Sequence, residues 1–175
     1  MRKPNLARGL ALLALTATVA AGGVVVVSSP ASAAVGDEER ISVYSNQLVA
    51  AMLSPYTDNG QQVVTAPYGG VNGWYAQWER VKVADSTYTF QNHFSKQCLD
   101  NDSSTTAGTP VVQESCKDKA PNQEWKLTHD ATLEVWHITN VASGLDLAVQ
   151  NTSAGAGFIQ AKNSQTNTLH MFQIW

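Results

Sequence analysis

A set of landmarks recurs in this chain at intervals of just under fifty residues, and it constrains the fold more than any other feature. Three tripeptides end in asparagine, an apolar pair follows later, and each unit closes on tryptophan. In order, the landmarks are Asn46, Asn92 and Asn140; Leu53, Leu99 and Leu147; Val63–Val64, Val111–Val112 and Phe158–Ile159; Trp78, Trp125 and Trp175. The spacings are 46 and 48 residues between the asparagines and 47 and 50 between the tryptophans.

Units of this length cannot bury an apolar face alone, so the repeat predicts one closed body built from three similar parts. Short alternating runs such as YTFQN and LEVWHITN, separated by Gly, Asn, Ser and Asp, indicate many short strands. The leucines and tryptophans of the repeat are predicted core residues. We expect repeats at about 41–80, 81–127 and 128–175, and closure of the sheet would remove exposed strand edges.

The first 33 residues have the pattern of a secretory signal peptide. Basic residues at Arg2, Lys3 and Arg8 precede an apolar run, and Ala31 and Ala33 form an A-x-A exit. A single membrane anchor is the alternative, because the apolar run is long; two glycines, a following proline and the lack of a basic stop-transfer cluster favour cleavage. We therefore predict a secreted, extracellular domain at 41–175, preceded by a solvated leader at 34–40 that includes the acidic residues Asp37–Glu39.

The charge of the predicted mature chain argues against two classes of partner. The signal segment holds three of the eleven Lys and Arg residues and none of the fourteen Asp and Glu residues, so the remainder has 8 − 14 = −6. Nucleic-acid binding depends on clustered cations, and no basic amphipathic stretch suggests a membrane surface. We expect neither nucleic acid nor membrane as a partner, and we expect a monomer.

Export also decides how the two cysteines are interpreted. An oxidising compartment favours a disulfide between Cys98 and Cys116 over two free thiols.

The four histidines, at 93, 129, 137 and 170, lack the spacing of a metal site. No nucleophile or phosphate-loop motif is present. The sequence therefore predicts no metal, no cofactor and no catalytic residues, and the chain is not expected to be an enzyme.

The middle unit, CLD…GTPVVQ…C…NQEW, resembles the ricin-type lectin repeat with its Q-x-W signature. QIW at Gln173–Trp175 is similar to the same signature, and QW at Gln77–Trp78 is an imperfect copy. The resemblance covers about 41–175 and implies an all-β fold, the β-trefoil of three pseudo-repeats. It also implies a carbohydrate-binding lectin-like module, with galactose-type sugars or a polysaccharide as the ligand.

In that family an aspartate after the CL pair and the Asn of the NQ pair contact the sugar, and the Gln supports the site. A carboxylate can accept from two adjacent hydroxyls. Only the second repeat carries the set, as Asp100, Asn122 and Gln123. The corresponding positions elsewhere are assigned to Ser54, Tyr75 and Ala76 in the first repeat and to Ala148, Phe172 and Gln173 in the third. Asp146 would fit the aspartate position only by breaking the register of Leu147.

The family also places an aromatic residue two positions before the second cysteine, where it stacks on the sugar ring. Here that residue is Glu114, and the equivalents in the other repeats are Ala66 and Ala161. Tyr68, Trp74 or Trp136 are candidates for a platform supplied from elsewhere. The sequence predicts at most one sugar site, and a weak one.

The alternative function is a scaffold that has lost sugar binding and either binds an extracellular protein or acts as an inhibitor. The aromatic and glycine-rich segment PYGGVNGWY at Pro67–Tyr75 would suit a protein interface. A loop whose Trp74 folds back on the core would give the same sequence pattern.

Overall fold

The structure is a computed structural model, and it describes residues 38–53, 57–68 and 73–175. Short antiparallel strands dominate these ranges, as the alternating runs predict. The strands are β1 Glu38–Glu39, β2 Ile41–Val43, β3 Val49–Ala51, β4 Gln61–Gln62, β5 Val64–Ala66, β6 Trp78–Ala84, β7 Thr87–Asn92, β8 Cys98–Asp100, β9 Val112–Glu114, β10 Trp125–Asp130, β11 Val135–Asn140, β12 Asp146–Val149, β13 Phe158–Ala161 and β14 Phe172–Ile174.

A barrel is closed by consecutive antiparallel pairings of the outer strands. β6 pairs with β7, β7 with β10, β10 with β11, β11 with β14, and β14 with β2. β1, which directly precedes β2 in the chain, pairs with β6 and so completes the ring. The hairpins β3–β5, β8–β9 and β12–β13 cover one end of this barrel. The arrangement confirms the predicted all-β trefoil. Each lobe has four strands of the trefoil; β1 and the two-residue β4, which pairs with β9, are additional to these.

The hairpins meet at the pseudo-threefold axis through a ring of backbone hydrogen bonds. Val63 N–H donates to Val111 C=O at 3.0 Å, Val111 to Phe158 at 2.9 Å, and Phe158 back to Val63 at 2.8 Å. The first residue of each apolar pair, Val63, Val111 and Phe158, therefore packs into one core together with Trp78 and Trp125. No single lobe could satisfy these backbone groups alone, which is why the repeats must fold together.

Strand register shows which residues are equivalent, and it corrects three predicted landmarks. Trp78 pairs with Asn92 and Trp125 with Asn140, whereas in the third lobe Phe172 pairs with Val43. Phe172 is therefore the core aromatic residue of the third lobe, fully buried, while Trp175 is 51% exposed. The prediction that Trp175 is core was wrong, and QIW is not the third signature; the equivalent tripeptide is His170–Phe172.

The first lobe requires the same correction. Trp125 Nε1 donates to Leu99 C=O and Trp78 Nε1 to Ala50 C=O, both at 3.0 Å. Ala50 is thus the equivalent of Leu99, and Leu53, predicted as core, is 51% exposed. Val43, paired with Phe172, takes the position of Asn92, so Asn46 is not the third asparagine of the repeat.

The segment predicted as a solvated leader contributes to the barrel. β1 pairs with β6, and Glu39 is buried, with its Oε1 2.6 Å from Arg80 Nη2. Burying a carboxylate is costly unless a cation and hydrogen bonds compensate. Glu39 therefore belongs to the packed domain, and the expectation that it is solvated was wrong.

The predicted signal peptide, Ser54 and residues 69–72 of the proposed interaction loop lie outside the described residues, as does the side chain of Trp74. Within the described part of the chain, no helix is long and apolar enough to cross a membrane.

Candidate carbohydrate site in the second lobe

The candidate site is built on the β8–β9 hairpin and the short 3₁₀ helix that precedes β10. Register across the hairpin places Cys98 opposite Glu114 and Asp100 opposite Val112. Successive strand residues face opposite sides, so Cys98 and Asp100 share one face while Leu99 points into the core, where it is buried. One strand thereby supplies a core leucine, a cross-link and a carboxylate.

Cys98 and Cys116 form the predicted disulfide, with Cα atoms 5.0 Å apart and a sequence separation of 18. Closing a loop of this length is worth about 3 kcal/mol in the chain-entropy account. The bond ties the start of β8 to the segment that leaves β9. It therefore holds the hairpin from which Asp100 projects.

The 3₁₀ helix Pro121–Gln123 delivers the amide side chains. Proline at its first position has no N–H to leave unpaired, and Gln123 N–H closes the turn onto Ala120 C=O at 2.8 Å. The turn is docked on β8 because Asn101 N–H donates to Asn122 C=O at 3.1 Å. Residues more than twenty positions apart are thus brought to one place.

The structure brings together all three predicted site residues. Asn122 Nδ2 donates to Asp100 Oδ2 at 2.7 Å, and Gln123 Nε2 donates to the same oxygen at 2.8 Å. Asp102 N–H donates to the other oxygen, Oδ1, at 2.8 Å. A carboxylate has about four lone-pair directions, so these three donors leave room for about one more.

Gln123 and Asn122 differ in what they can offer a ligand. Gln123 is fully buried, its Nε2 also donates to Ser115 C=O at 2.9 Å, and its Oε1 accepts from Lys117 N–H at 2.9 Å. It ties the hairpin, the helix and the carboxylate together. Asn122 is only partly buried, and among the described residues its Oδ1 has no donor. Asn122 therefore presents a free acceptor at the surface.

Asp100 is 1% exposed, so it forms the floor of the site rather than its wall. Glu114 is partly exposed on β9, where the family resemblance predicts an aromatic residue. Its carboxylate can accept hydroxyl hydrogen bonds but cannot cover an apolar sugar face. Of the suggested replacement platforms, Tyr68 contacts Trp175 and Trp136 contacts His129; neither supplies a ring to this hairpin in the contacts that the structure describes.

The third lobe also has a buried carboxylate, but this one lies at the position of Cys98 rather than at that of Asp100. Asp146 lies opposite Ala161, at the position of Cys98, and Ala148 occupies the position of Asp100. Fully buried, Asp146 accepts from Thr139 Oγ1 at 2.8 Å, Asn163 Nδ2 at 3.2 Å and Ser164 N–H at 3.4 Å. Asn163 occupies the position of Cys116, so a hydrogen bond links the same two segments of the third lobe that the disulfide links in the second. We call each of these two links a clasp.

His170 takes the position of Gln123 in the third lobe, a correspondence that the sequence assigned to Gln173. Its Nδ1 lies 3.7 Å from Asp146 Oδ2, which is longer than a normal hydrogen bond. Burial raises the pKa of Asp146, but the opposing effects of His170, Thr139 and Ser164 outweigh it and hold that pKa below its ordinary value. The equivalent of Asn122 is Leu169, which has no polar group to offer.

Among its described residues, the first lobe has no clasp and no polar side chain at the position of Asp100. Register places Val49 at the position of Cys98 and Ala51 at that of Asp100, whereas the sequence assigned the Asp100 position to Ser54. Tyr75 and Ala76 hold the positions of Asn122 and Gln123, as the sequence predicts. Across the described residues, no group of His, Cys, Asp or Glu side chains is arranged to hold a metal ion.

Comparison with known proteins adds a family to this geometry. The chain matches the ricin-type beta-trefoil lectin domain-like family over residues 19–114 and 74–161. No curated protein matches it.

Solved structures with the same fold include the designed three-fold symmetric protein ThreeFoil, with a TM-score of 0.72 and 26% identity, covering 78% of this chain and 96% of that one. A Polyporus squamosus lectin bound to the epitope Neu5Aca2-6Galb1-4GlcNAc has a TM-score of 0.68 at 20% identity, covering 80% and 48%. 1,3Gal43A, an exo-beta-1,3-galactanase from Clostridium thermocellum, has a TM-score of 0.69 at 23% identity, covering 78% and 29%. This chain thus spans about half of that lectin and under a third of that enzyme.

Proposed function

Because the chain belongs to the ricin-type beta-trefoil lectin domain-like family, we propose that it is a non-catalytic carbohydrate-binding module whose sugar site lies in the second lobe. The observation that carries the site is the carboxylate of Asp100, held by Asn122 and Gln123 beside a disulfide. The galactanase resembles this chain over only a small part of its length, which gives no ground for assigning its activity here.

The roles follow from exposure and hydrogen-bond capacity. Asp100 accepts from the amides and keeps about one lone-pair direction for a sugar hydroxyl. Asn122 offers its free Oδ1 at the surface, and Gln123 maintains the geometry from below. Glu114 replaces a stacking ring, so the site gains hydroxyl contacts and loses apolar cover. Galactose-type sugars are the first ligands to test, because the family suggests them.

Affinity should be low. An aromatic contact contributes about 0.5–1.5 kcal/mol beyond its burial, and its absence weakens binding up to about tenfold. Lectins with several equivalent sites gain avidity from multivalency. The first and third lobes carry Ala51 and Ala148 where Asp100 stands, so that gain is missing for sites of this kind.

The proposal is tested by titrating galactose into the wild-type protein and an Asn122→Ala variant while recording NMR chemical shifts. We expect millimolar binding to the wild type and at least severalfold weaker binding to the variant, since a hydrogen bond is worth about 0.5–1.5 kcal/mol. Asn151→Ala, on an exposed third-lobe loop, is the control and should bind as the wild type does. If Asn122→Ala binds galactose as well as the control does, the second-lobe site is wrong.

We also propose that the protein is secreted and monomeric. The N-terminal pattern supports export, and the disulfide suits an oxidising compartment. N-terminal sequencing of protein recovered from the medium should begin at Ala34. Retention of the protein in the membrane fraction would favour the anchor instead.

A further inference from the structure

Two exposed aromatic rings lie close together on a surface formed by residues that are distant in sequence from the second-lobe hairpin. Tyr68 is 55% exposed and Trp175 is 51% exposed, with ring centroids 5.3 Å apart. The guanidinium of Arg40 lies 4.9 Å from the centroid of Tyr68 and 5.5 Å from that of Trp175. We call Arg40, Tyr68 and Trp175 the outer aromatic surface.

Backbone hydrogen bonds hold two residues of this surface, Arg40 and Trp175, in place. Arg40 N–H donates to Trp175 C=O at 2.8 Å, and Trp175 N–H donates to Arg40 C=O at 3.3 Å. This pair extends the β2–β14 ladder by one step. The half-exposed rings of Trp175 and Tyr68 contribute little to the core and offer area to a ligand.

A second arginine–tyrosine contact shows what is unusual about Arg40. Arg80 lies 4.8 Å from the centroid of Tyr88, but its charge is already paired with Glu39 at 2.6 Å. Among the described residues no Asp or Glu side chain forms an ion pair with the guanidinium of Arg40, and its buried Nε has no acceptor. A guanidinium binds a carboxylate in a two-pronged geometry. The charge of Arg40 is therefore available to a carboxylate from outside the protein.

We propose that the outer aromatic surface is a second saccharide-binding surface, separate from the second-lobe site, and that it takes sugars bearing a carboxylate. A ring of Trp175 or Tyr68 covers the C–H face of the pyranose, and Arg40 pairs with the carboxylate. The formal charge of the chain is −3, so a polyanion gains no general attraction from the protein. Recognition then depends on this one local cation and on stacking.

Galacturonate and galactose oligomers give a matched pair of probes, because they differ only in the carboxylate at C6. Trigalacturonate and its neutral galactose counterpart are each titrated into the purified protein, with binding followed by NMR chemical shifts at low and high salt. We expect trigalacturonate to bind at this surface and the neutral trimer to bind there at least severalfold more weakly. Raising the salt concentration should reduce the difference, since an exposed charge pair is screened.

Variants separate the two surfaces. Trp175→Ala should weaken trigalacturonate binding about tenfold. Arg40→Met should weaken it by up to about fivefold, the range of an exposed ion pair, and leave the neutral trimer unaffected. Asn122→Ala should leave the chemical-shift changes that trigalacturonate causes at Arg40 and Trp175 unchanged, so failure of the second-lobe site would not be mistaken for failure here. Equal binding of both trimers, no binding of trigalacturonate, or insensitivity to both Trp175→Ala and Arg40→Met would overturn the proposal.

Discussion

The second and third lobes solve the same structural problem with different chemistry. Both must join the first strand of a hairpin to the segment that follows its second strand. The second lobe does this with the Cys98–Cys116 disulfide, and the third with the Asp146–Asn163 hydrogen bond. Because a covalent bond closes the second hairpin, the carboxylate of this lobe lies two residues further along the strand, at Asp100, beside the partly exposed Asn122.

The difference teaches that a carboxylate in a degenerate repeat need not mark a binding site. Asp146 accepts hydrogen bonds from several donors and holds its lobe together, whereas Ala148 occupies the pocket position. The side chains at the Asn122 and Gln123 positions have changed with it, to Leu169 and His170. The third lobe therefore keeps the fold of the repeat without the side chains that surround Asp100 in the second lobe.

The largest expected effect tests the equivalence of Phe172 and Trp125. Phe172→Ala should destabilise the protein by about 3–5 kcal/mol, because it empties a fully buried core position. Trp175→Ala is the matched control and should cost below about 1 kcal/mol, as its ring is half exposed. Chemical denaturation measures both. A larger loss for Trp175→Ala than for Phe172→Ala would restore the correspondence of the three tryptophans.

Removing the covalent clasp should have the next largest effect. Cys98→Ala combined with Cys116→Ala is expected to lower the free energy of unfolding by about 3 kcal/mol, since the unfolded chain gains freedom. Thermal melting and urea titration measure the loss, and reduction of the wild type should reproduce it. An unchanged melting temperature would mean that the hairpin is held by its other contacts.

The polar clasp of the third lobe should be worth less than the covalent one. Asp146→Asn keeps the shape of the side chain but directs an amide N–H at buried donors, which costs about 1–3 kcal/mol. Urea titration of this variant beside the double-cysteine variant compares the two clasps directly. A loss as large as that of the disulfide would contradict the proposed ranking.

The smallest effect is a pH dependence that belongs to the third lobe. The pKa of Asp146 is lower in the folded protein than its ordinary value of 3.8. Its contribution to stability is therefore fully present above 3.8 and is lost as the pH falls through the folded value. Stability of the wild type should drop more steeply below about pH 4 than that of Asp146→Asn.

Asp130 sets a background for that measurement. Backbone hydrogen bonds from Thr132 and Leu133 hold its pKa below the ordinary value as well. Its contribution is common to the wild type and to Asp146→Asn, so the difference between the two curves isolates Asp146. Parallel curves for the two proteins would show that the ionised form of Asp146 does not stabilise the folded protein.

Sequence reasoning was most successful where the repeat kept its chemistry. The cysteines and the NQEW segment identified the fold, the disulfide and the group of residues around Asp100 in the second lobe. The other lobes were misaligned by three residues each time, at Asn46 for Val43, Leu53 for Ala50 and Trp175 for Phe172. Valine, alanine and phenylalanine fill these apolar positions adequately, so matching residue types led to the wrong neighbours.

Equal spacing was the signal that would have corrected the third lobe. Trp125 follows Trp78 by 47 residues, and 47 residues further stands Phe172. The near-complete burial of Asp100, by contrast, cannot be predicted from the sequence, because it depends on how the 3₁₀ helix docks on β8. The sequence also does not show that Glu39 leaves Arg40 without an ion pair. The register of β1 pairs Glu39 with Arg80 and not with the adjacent Arg40.

Mapping galactose binding on the backbone amides tests the central claim most directly, namely that the disulfide-clasped lobe alone retains the polar sugar pocket. Asp102 N–H bonds to Asp100 and Lys117 N–H bonds to Gln123, whereas Ser164 N–H bonds to Asp146 in the third lobe. We predict saturable chemical-shift changes at Asp102 and Lys117 and none at Ser164. Changes at Ser164 with no change at Asp102 and Lys117 would contradict the account.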